Sequence, residues 1–384
     1  MIQLGLGRGR CDCICANIIL SCLAVLLFAT DAFAQNALYN KHLSRDPSIY
    51  GEMQRAWISQ DGISYATFPY SQPLGDRRLD LIDGEGRNGY LVEANLDLRF
   101  PFLMGRPNNS SLKRRQRFTI DYRANFRMTN DSSKPLVPWS NYFGIGHDFT
   151  IFDSKKKWVW NDKGRGDSTS LEPNEKFKFL TLTTFIHHFS NGQPPGFYTY
   201  SSDSTERRND YTSGDFSTNY LKFILKWSIA NIEKHRLTTL GISYRMDGGY
   251  ENTPLVFTPE QERSYGRKRI GLHFDYYTGP NSRMFRADQE WLFRTELTYI
   301  TDELDLFTPN LKEDQGEYRL MFHQFVELRP LNHRTIGYLV HFYAGRDYMN
   351  IRYDDVIWMV QFGISLSVDK YYPIGWQNEV EGKL

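Results

Sequence analysis

The chain has 384 residues, 40% hydrophobic and 24% charged, with a formal charge of +1. A balance so close to neutral says nothing about a partner, and no nucleic-acid partner is expected. Past the N-terminal segment no stretch approaches the ~18 consecutive apolar residues of a spanning helix, while aromatics reach 15%.

Arg8 and Arg10 precede an apolar run from Ala16 to Ala29, and Ala32-Phe33-Ala34 sets small residues where a signal peptidase reads. Residues 1–34 therefore read as a cleaved signal peptide. The alternative, a retained anchor, calls for a longer unbroken stretch. All four cysteines, Cys11, Cys13, Cys15 and Cys22, fall inside this segment, so neither a disulfide framework nor a cysteine metal site is expected beyond it. Residues 35–61 read as a periplasmic N-terminal arm.

From residue 62 onward the governing pattern is alternation with period two. Val92, Ala94, Leu96, Leu98, Phe100 and Phe102 interleave with Glu93, Asn95, Asp97 and Arg99; Phe118, Ile120, Tyr122, Ala124, Phe126 and Met128 interleave with Thr119, Asp121, Arg123, Asn125 and Arg127. Charges at every second place cannot occupy a two-sided apolar core, but they suit the hydrated or salt-bridged interior of a barrel whose other face meets lipid. Segments of this length also exceed the usual ~5–6 residues of a strand in a soluble sandwich, the competing architecture, and match the ~9–11 of a membrane strand.

The pattern predicts twelve strands, over 62–71, 89–103, 116–129, 140–153, 177–190, 217–229, 235–247, 267–278, 284–300, 317–329, 334–347 and 356–368. The expected fold is all-β, a 12-stranded antiparallel transmembrane β-barrel over 62–368, integral to the outer membrane of a Gram-negative cell. An even number of strands returns both ends of the barrel to the periplasm, making 191–216 an outer loop and 154–176 a long periplasmic turn. Residues 369–384 read as a short C-terminal tail.

The chemistry concentrates at the outer end of the fifth strand, in Ile186-His187-His188-Phe189-Ser190-Asn191-Gly192. His188 and Ser190 are two apart and so share a face with Leu180, Leu182 and Ile186, the lipid side. Asn219 opens the apolar phase of the next strand, ahead of Leu221, Phe223, Leu225 and Trp227, at the level where that pair ends. An asparagine oxygen accepting from one imidazole nitrogen would hold the ring so that the other nitrogen could take the proton of a serine hydroxyl. Backbone N–H groups from Ser190 to Gly192, or a bound cation, are the expected oxyanion stabilisers. The plainer alternative is a pair of interfacial polar residues followed by an Asn-Gly turn.

His188-Phe189-Ser190-Asn191-Gly192 followed by Ser217-Thr218-Asn219 resembles the motif of the outer-membrane phospholipase A family. The likeness extends to Phe100-Pro101-Phe102-Leu103, Ser132-Ser133 with Ser140-Asn141-Tyr142, Tyr343-Ala344-Gly345 and Gly363-Ile364-Ser365-Leu366. The resemblance implies a calcium-dependent phospholipase A1/A2 that acts on membrane phospholipids and lysophospholipids and is active as a homodimer. Carried across, Ser190 is the nucleophile, His188 the general base and acid, and Asn219 the orienting residue. Ser132, Gln193 and Asp215 are the corresponding candidates for calcium, with polar loop residues as the alternative reading. The family's arginine after the glycine is Gln193 here, the following loop is long, and the chain closes on Lys383-Leu384 without a terminal aromatic. Two other readings stand beside this one: a lipid A 3-O-deacylase-like esterase, in which Asp210 or Asp215 replaces Asn219, and a pore without catalysis.

Overall fold

Alternation shapes the whole molecule. In the computed structural model the described residues are 62–73, 90–104, 115–129, 136–154, 157–158, 176–191, 198–200, 207–209, 215–231, 236–248, 259–278, 289–304, 318–330, 336–349, 353 and 356–366. The expected signal peptide, N-terminal arm and C-terminal tail lie outside them.

Twelve strands form the barrel: β1 (Ser64–Pro73), β2 (Tyr90–Met104), β3 (Gln116–Thr129), β4 (Leu136–Asp153), β5 (Lys176–Ser190) and β6 (Ser217–Asn231), then β7 (Arg236–Asp247), β8 (Lys268–Thr278), β9 (Gln289–Ile300), β10 (Leu320–Pro330), β11 (Ile336–Arg346) and β12 (Val356–Leu366). Each pairs antiparallel with the next, and β12 returns to β1 with Ser64 opposite Leu366 and Pro73 opposite Ile357. Closure leaves no open edge, which is the condition for strands to cross a bilayer. Four smaller elements accompany the barrel among the described residues. Lys157–Trp158 adds two residues of pairing to β4, Tyr198–Tyr200 pairs with Arg207–Asn209 in the link after β5, and helix α1 (Pro259–Tyr265) precedes β8.

One difference from the expected boundaries and one bulge have local causes. β4 begins at Leu136 rather than 140, because a register shift between Asn125 and Arg127 of β3 absorbs Pro138 and lets Val137 pair with Arg127. β2 bulges between Pro101 and Leu103, where proline has no N–H to give the ladder.

The outward phase is apolar around the circumference: Phe68, Leu240, Ile242, Leu272, Tyr338 and Phe362 are each more than half exposed. A continuous wall of this kind would be untenable in water and is the surface a bilayer solvates. The protein is an outer-membrane barrel.

The inward phase is polar and packed. Arg127 joins Glu93 at 2.7 Å and Asp347 at 2.6 Å, Arg117 joins Asp148 at 2.7 Å, and Arg269 joins Asp247 at 2.7 Å. Of the two interiors alternation allowed, much of this one is salt-bridged. Apolar clusters bracket these charges. Phe177, Phe179, Ala230, Leu237 and Tyr277 pack at the end where β1 starts and β12 finishes, and Phe189, Phe216, Tyr220, Tyr265 and Tyr353 pack at the far end. Between them lies a cavity of about 220 Å³ that Arg123, Lys222, Arg245 and Glu296 help to line.

Removing one partner of a fully buried pair strands the other charge. Asp148 accepts from Arg117 and, at 2.6 Å, from Thr183, and it lies 3.5 Å from Arg99. Asp148→Ala is therefore expected to destabilise the barrel by about 3–5 kcal/mol. Arg123→Ala also leaves a shielded carboxylate, Asp97 at 7% exposed, but its arginine side chain is 47% exposed, so it should cost clearly less than Asp148→Ala. Urea titration of the barrel refolded into vesicles measures both.

Candidate active site

β4, β5 and β6 lie side by side, and their register sets the outward-facing residues in rows. Asn141 of β4 stands opposite Ser190 of β5, which stands opposite Ser217 of β6; one row toward the membrane, Phe143, His188 and Asn219 align in the same order. Ile186, 65% exposed, and Leu221 follow in the next row. The two polar rows therefore sit at the rim of the apolar wall, at the end away from the barrel's termini.

His188 and Asn219 form a direct pair across the ladder, with Nδ1 3.0 Å from Asn219 Oδ1. An amide oxygen only accepts, so in the neutral ring the proton sits on Nδ1 and Nε2 keeps its lone pair. That is the tautomer a general base needs. Ser190 lies two residues further along the same face, half-buried, and its hydroxyl makes no hydrogen bond among the described residues.

Residues between and beside these three lock the end of the ladder. Phe189 points inward, 1% exposed, stacked on Tyr142 at 4.0 Å between ring centroids and edge-on to Phe216 at 5.2 Å. Asn191 closes the strand end reciprocally. Its backbone N–H donates to the Phe216 carbonyl at 3.0 Å, and its Oδ1 accepts from the Phe216 N–H at 2.9 Å. This removes one of the expected oxyanion donors, because the Asn191 N–H is already engaged; Gly192 lies outside the described residues. Gly144 of β4 is required by close approach, since a Cβ there would meet the Ile186 carbonyl oxygen at 2.1 Å.

Of the three calcium candidates, Ser132 and Gln193 lie outside the described residues. Asp215 sits just ahead of β6, where Gln261 of α1 donates to its backbone carbonyl at 2.9 Å. Ser217, two residues on, has a hydroxyl oxygen sealed from solvent with no hydrogen-bond partner among the described residues. No cluster of three His, Cys, Asp or Glu side chains forms among the described residues. Of the two acids of the deacylase reading, Asp210 is also outside them and Asp215 is the residue just described; the nitrogen either would have to engage is held by Asn219.

Sequence reasoning passed over one group. His187, inward where His188 is outward, lies between Tyr220 Oη at 2.7 Å and Asp121 Oδ2 at 2.9 Å. The signal was present: His187, Tyr220 and Asp121 each fall in the lumen phase of their strand.

No family model and no curated protein matches the chain. Similar solved structures include outer membrane phospholipase A from Escherichia coli, at 12% identity and a TM-score of 0.46 over 83% of this chain and 98% of that one. The outer membrane phospholipase dimer of Salmonella typhi with bound calcium is 12% identical, with a TM-score of 0.44 over 81% and 91% of the two chains. LpxR from Salmonella typhimurium is 9% identical, with a TM-score of 0.31 over 72% and 88%.

Proposed function

We propose that this protein is an outer-membrane serine esterase, a phospholipase A that hydrolyses acyl ester bonds of membrane phospholipids and lysophospholipids. The observation that carries the reading is the 3.0 Å hydrogen bond between His188 and Asn219 on the lipid-facing wall, with Ser190 on the same face. A polar group at the head of an apolar stripe is costly where lipid tails begin, and function is the usual reason for it. The motif shared with the phospholipase A family supports the same assignment.

In this mechanism Ser190 Oγ attacks the ester carbonyl carbon while its proton passes to His188 Nε2. The imidazolium gives that proton to the departing glyceryl oxygen as the ester C–O bond breaks, leaving the acyl group on Ser190. Water then attacks the acyl-enzyme, losing its proton to His188, and the fatty acid leaves as His188 returns the proton to Ser190. Asn219 transfers no proton; it keeps the ring in one tautomer and one orientation. Substrate arrives from the bilayer itself, since the serine opens onto the wall that lipids cover, and we assign the active form to a homodimer on the family resemblance.

Calcium belongs to the same proposal. Its donors would be oxygens, which suits a hard cation: the Asp215 carboxylate with Ser132 and Gln193. When bound beside the nucleophile, calcium supplies Lewis-acid polarisation of the ester carbonyl.

Ser190→Ala and His188→Ala are expected to lower hydrolysis of phospholipid vesicles by at least about a thousandfold, with the barrel's heat-modifiable gel migration retained. Asn219→Ala loses one hydrogen bond to a group that becomes charged, and should fall by roughly 10- to 100-fold. A long-chain alkyl sulfonyl fluoride should modify Ser190. Labelling elsewhere, or hydrolysis that survives Ser190→Ala, rejects the assignment. Excess chelator is expected to suppress turnover by about tenfold or more, with recovery on adding Ca²⁺; turnover that persists removes the metal and leaves the serine chemistry. A passive pore would instead give steady conductance in planar bilayers and would be indifferent to Ser190→Ala.

A further inference from the structure

Behind the outward pair, on the lumen side of the same two strands, a second histidine is held more tightly than the first. The two register pairs are consecutive: His187 faces Tyr220 inward and His188 faces Asn219 outward. His187 Nε2 lies 2.9 Å from Asp121 Oδ2, and a carboxylate only accepts, so in the neutral ring Nδ1 accepts from Tyr220 Oη at 2.7 Å. The chain continues on both sides. Arg99 holds the other Asp121 oxygen at 3.1 Å, while Arg245 lies over the Tyr220 ring at 3.9 Å and Tyr142 meets it edge-on. Phe185 packs edge-on against the His187 ring, with Arg99 over its own face at 5.0 Å.

We propose that the Asp121–His187–Tyr220 relay is a positioning device for the active site on the other face of the wall. The proposal rests on the functional reading above. His187 and His188 are covalent neighbours, as are Tyr220 and Asn219, so fixing the inward rings fixes the backbone from which the outward imidazole and amide project. Asp121 on β3 and Arg245 on β7 anchor the relay to strands flanking β4–β6, and both nitrogens of His187 are committed. The catalytic pair therefore stands on a wall whose lumen side cannot shift without breaking a buried, charge-assisted bond. No residue of the relay touches substrate; its effect reaches the chemistry through His188.

Tyr220→Phe tests this in the full-length, detergent-solubilised barrel with a dispersed long-chain p-nitrophenyl ester. The substitution keeps the ring under Arg245 and deletes only the hydroxyl. It is expected to lower kcat about five- to tenfold with KM unchanged, and to slow modification of Ser190 by the alkyl sulfonyl fluoride by a similar factor. Thr150→Val deletes another buried lumen hydrogen bond, to Thr181 at 3.2 Å on β4–β5, and should leave kcat within about twofold. In the double variant Asn219→Ala with Tyr220→Phe, the two losses should combine to less than their product, because both act on one imidazole. A kcat for Tyr220→Phe within twofold of the parent, or an equal loss in Thr150→Val, overturns the proposal while Ser190→Ala stays inactive. Hydrolysis retained by Ser190→Ala would instead bring down the functional reading, and this proposal with it.

Discussion

Register between β5 and β6 is the constraint from which the site and its support both follow. Because side chains alternate strictly, a one-residue slip of β5 would carry His188 and Ser190 into the lumen and set His187 against lipid, and the same slip of β6 would do so to Asn219 and Tyr220. The apolar phase resists that slip along the length of both strands, since Leu180, Leu182, Ile186, Leu221, Phe223 and Leu225 would all have to enter a lumen filled with ion pairs. At the far end Phe189 and the reciprocal bonds of Asn191 and Phe216 add a second lock. The hydrophobic pattern therefore specifies more than a fold. It specifies the face of the wall on which His188, Ser190 and Asn219 stand.

The packed lumen supplies the stiffness that a lipid-facing site cannot obtain from its surroundings. Lipid tails offer no directional contacts, so the outward side chains are positioned from behind. Buried ion pairs contribute little net stability against well-packed apolar substitutes, yet each excludes arrangements that would leave one charge alone. Arg99, Asp121, Arg117, Asp148 and Thr183 connect β2 through β5 in this way, directly behind the wall on which the two polar rows sit. Such a network favours one register and one strand order.

How legible the protein was in its sequence follows from the range of each interaction. Period-two alternation is local and strong, so all twelve strands and the outward placement of His188, Ser190 and Asn219 could be read directly. Pairing of His188 with Asn219 could be read too, because the apolar phase of β6 begins at the level where that of β5 ends. The lumen partners could not, for Asp121 lies 66 residues before His187 and Asp347 lies 220 residues after Arg127. Nothing short of barrel closure brings such pairs together. Helix α1 was missed for a different reason. Thr258-Pro259-Glu260-Gln261 carries a helix-start signal, but a seven-residue helix is too short to show a periodic face. Asn191 drops out of the expected oxyanion donors on hydrogen-bond allocation: that its N–H closes a strand end becomes apparent only once Phe216 is placed opposite it.

A neutral residue at position 219 suits the wall on which the site is built. An aspartate there would stabilise the imidazolium more strongly, but in the resting protein it would hold a permanent negative charge at the rim of the hydrocarbon, with an uncharged ring for a partner. Asparagine orients His188 without that burden. In the mechanism proposed above, the charge on His188 would exist only while the tetrahedral intermediate does, and the oxyanion formed in the same step would be its counter-ion. At ~5 Å and an effective dielectric constant near 20 their attraction is worth about 3 kcal/mol, and it vanishes with the charges when the intermediate collapses. Charge would thus be created and cancelled in pairs, so that catalysis would add no lasting charge to the wall that meets the bilayer.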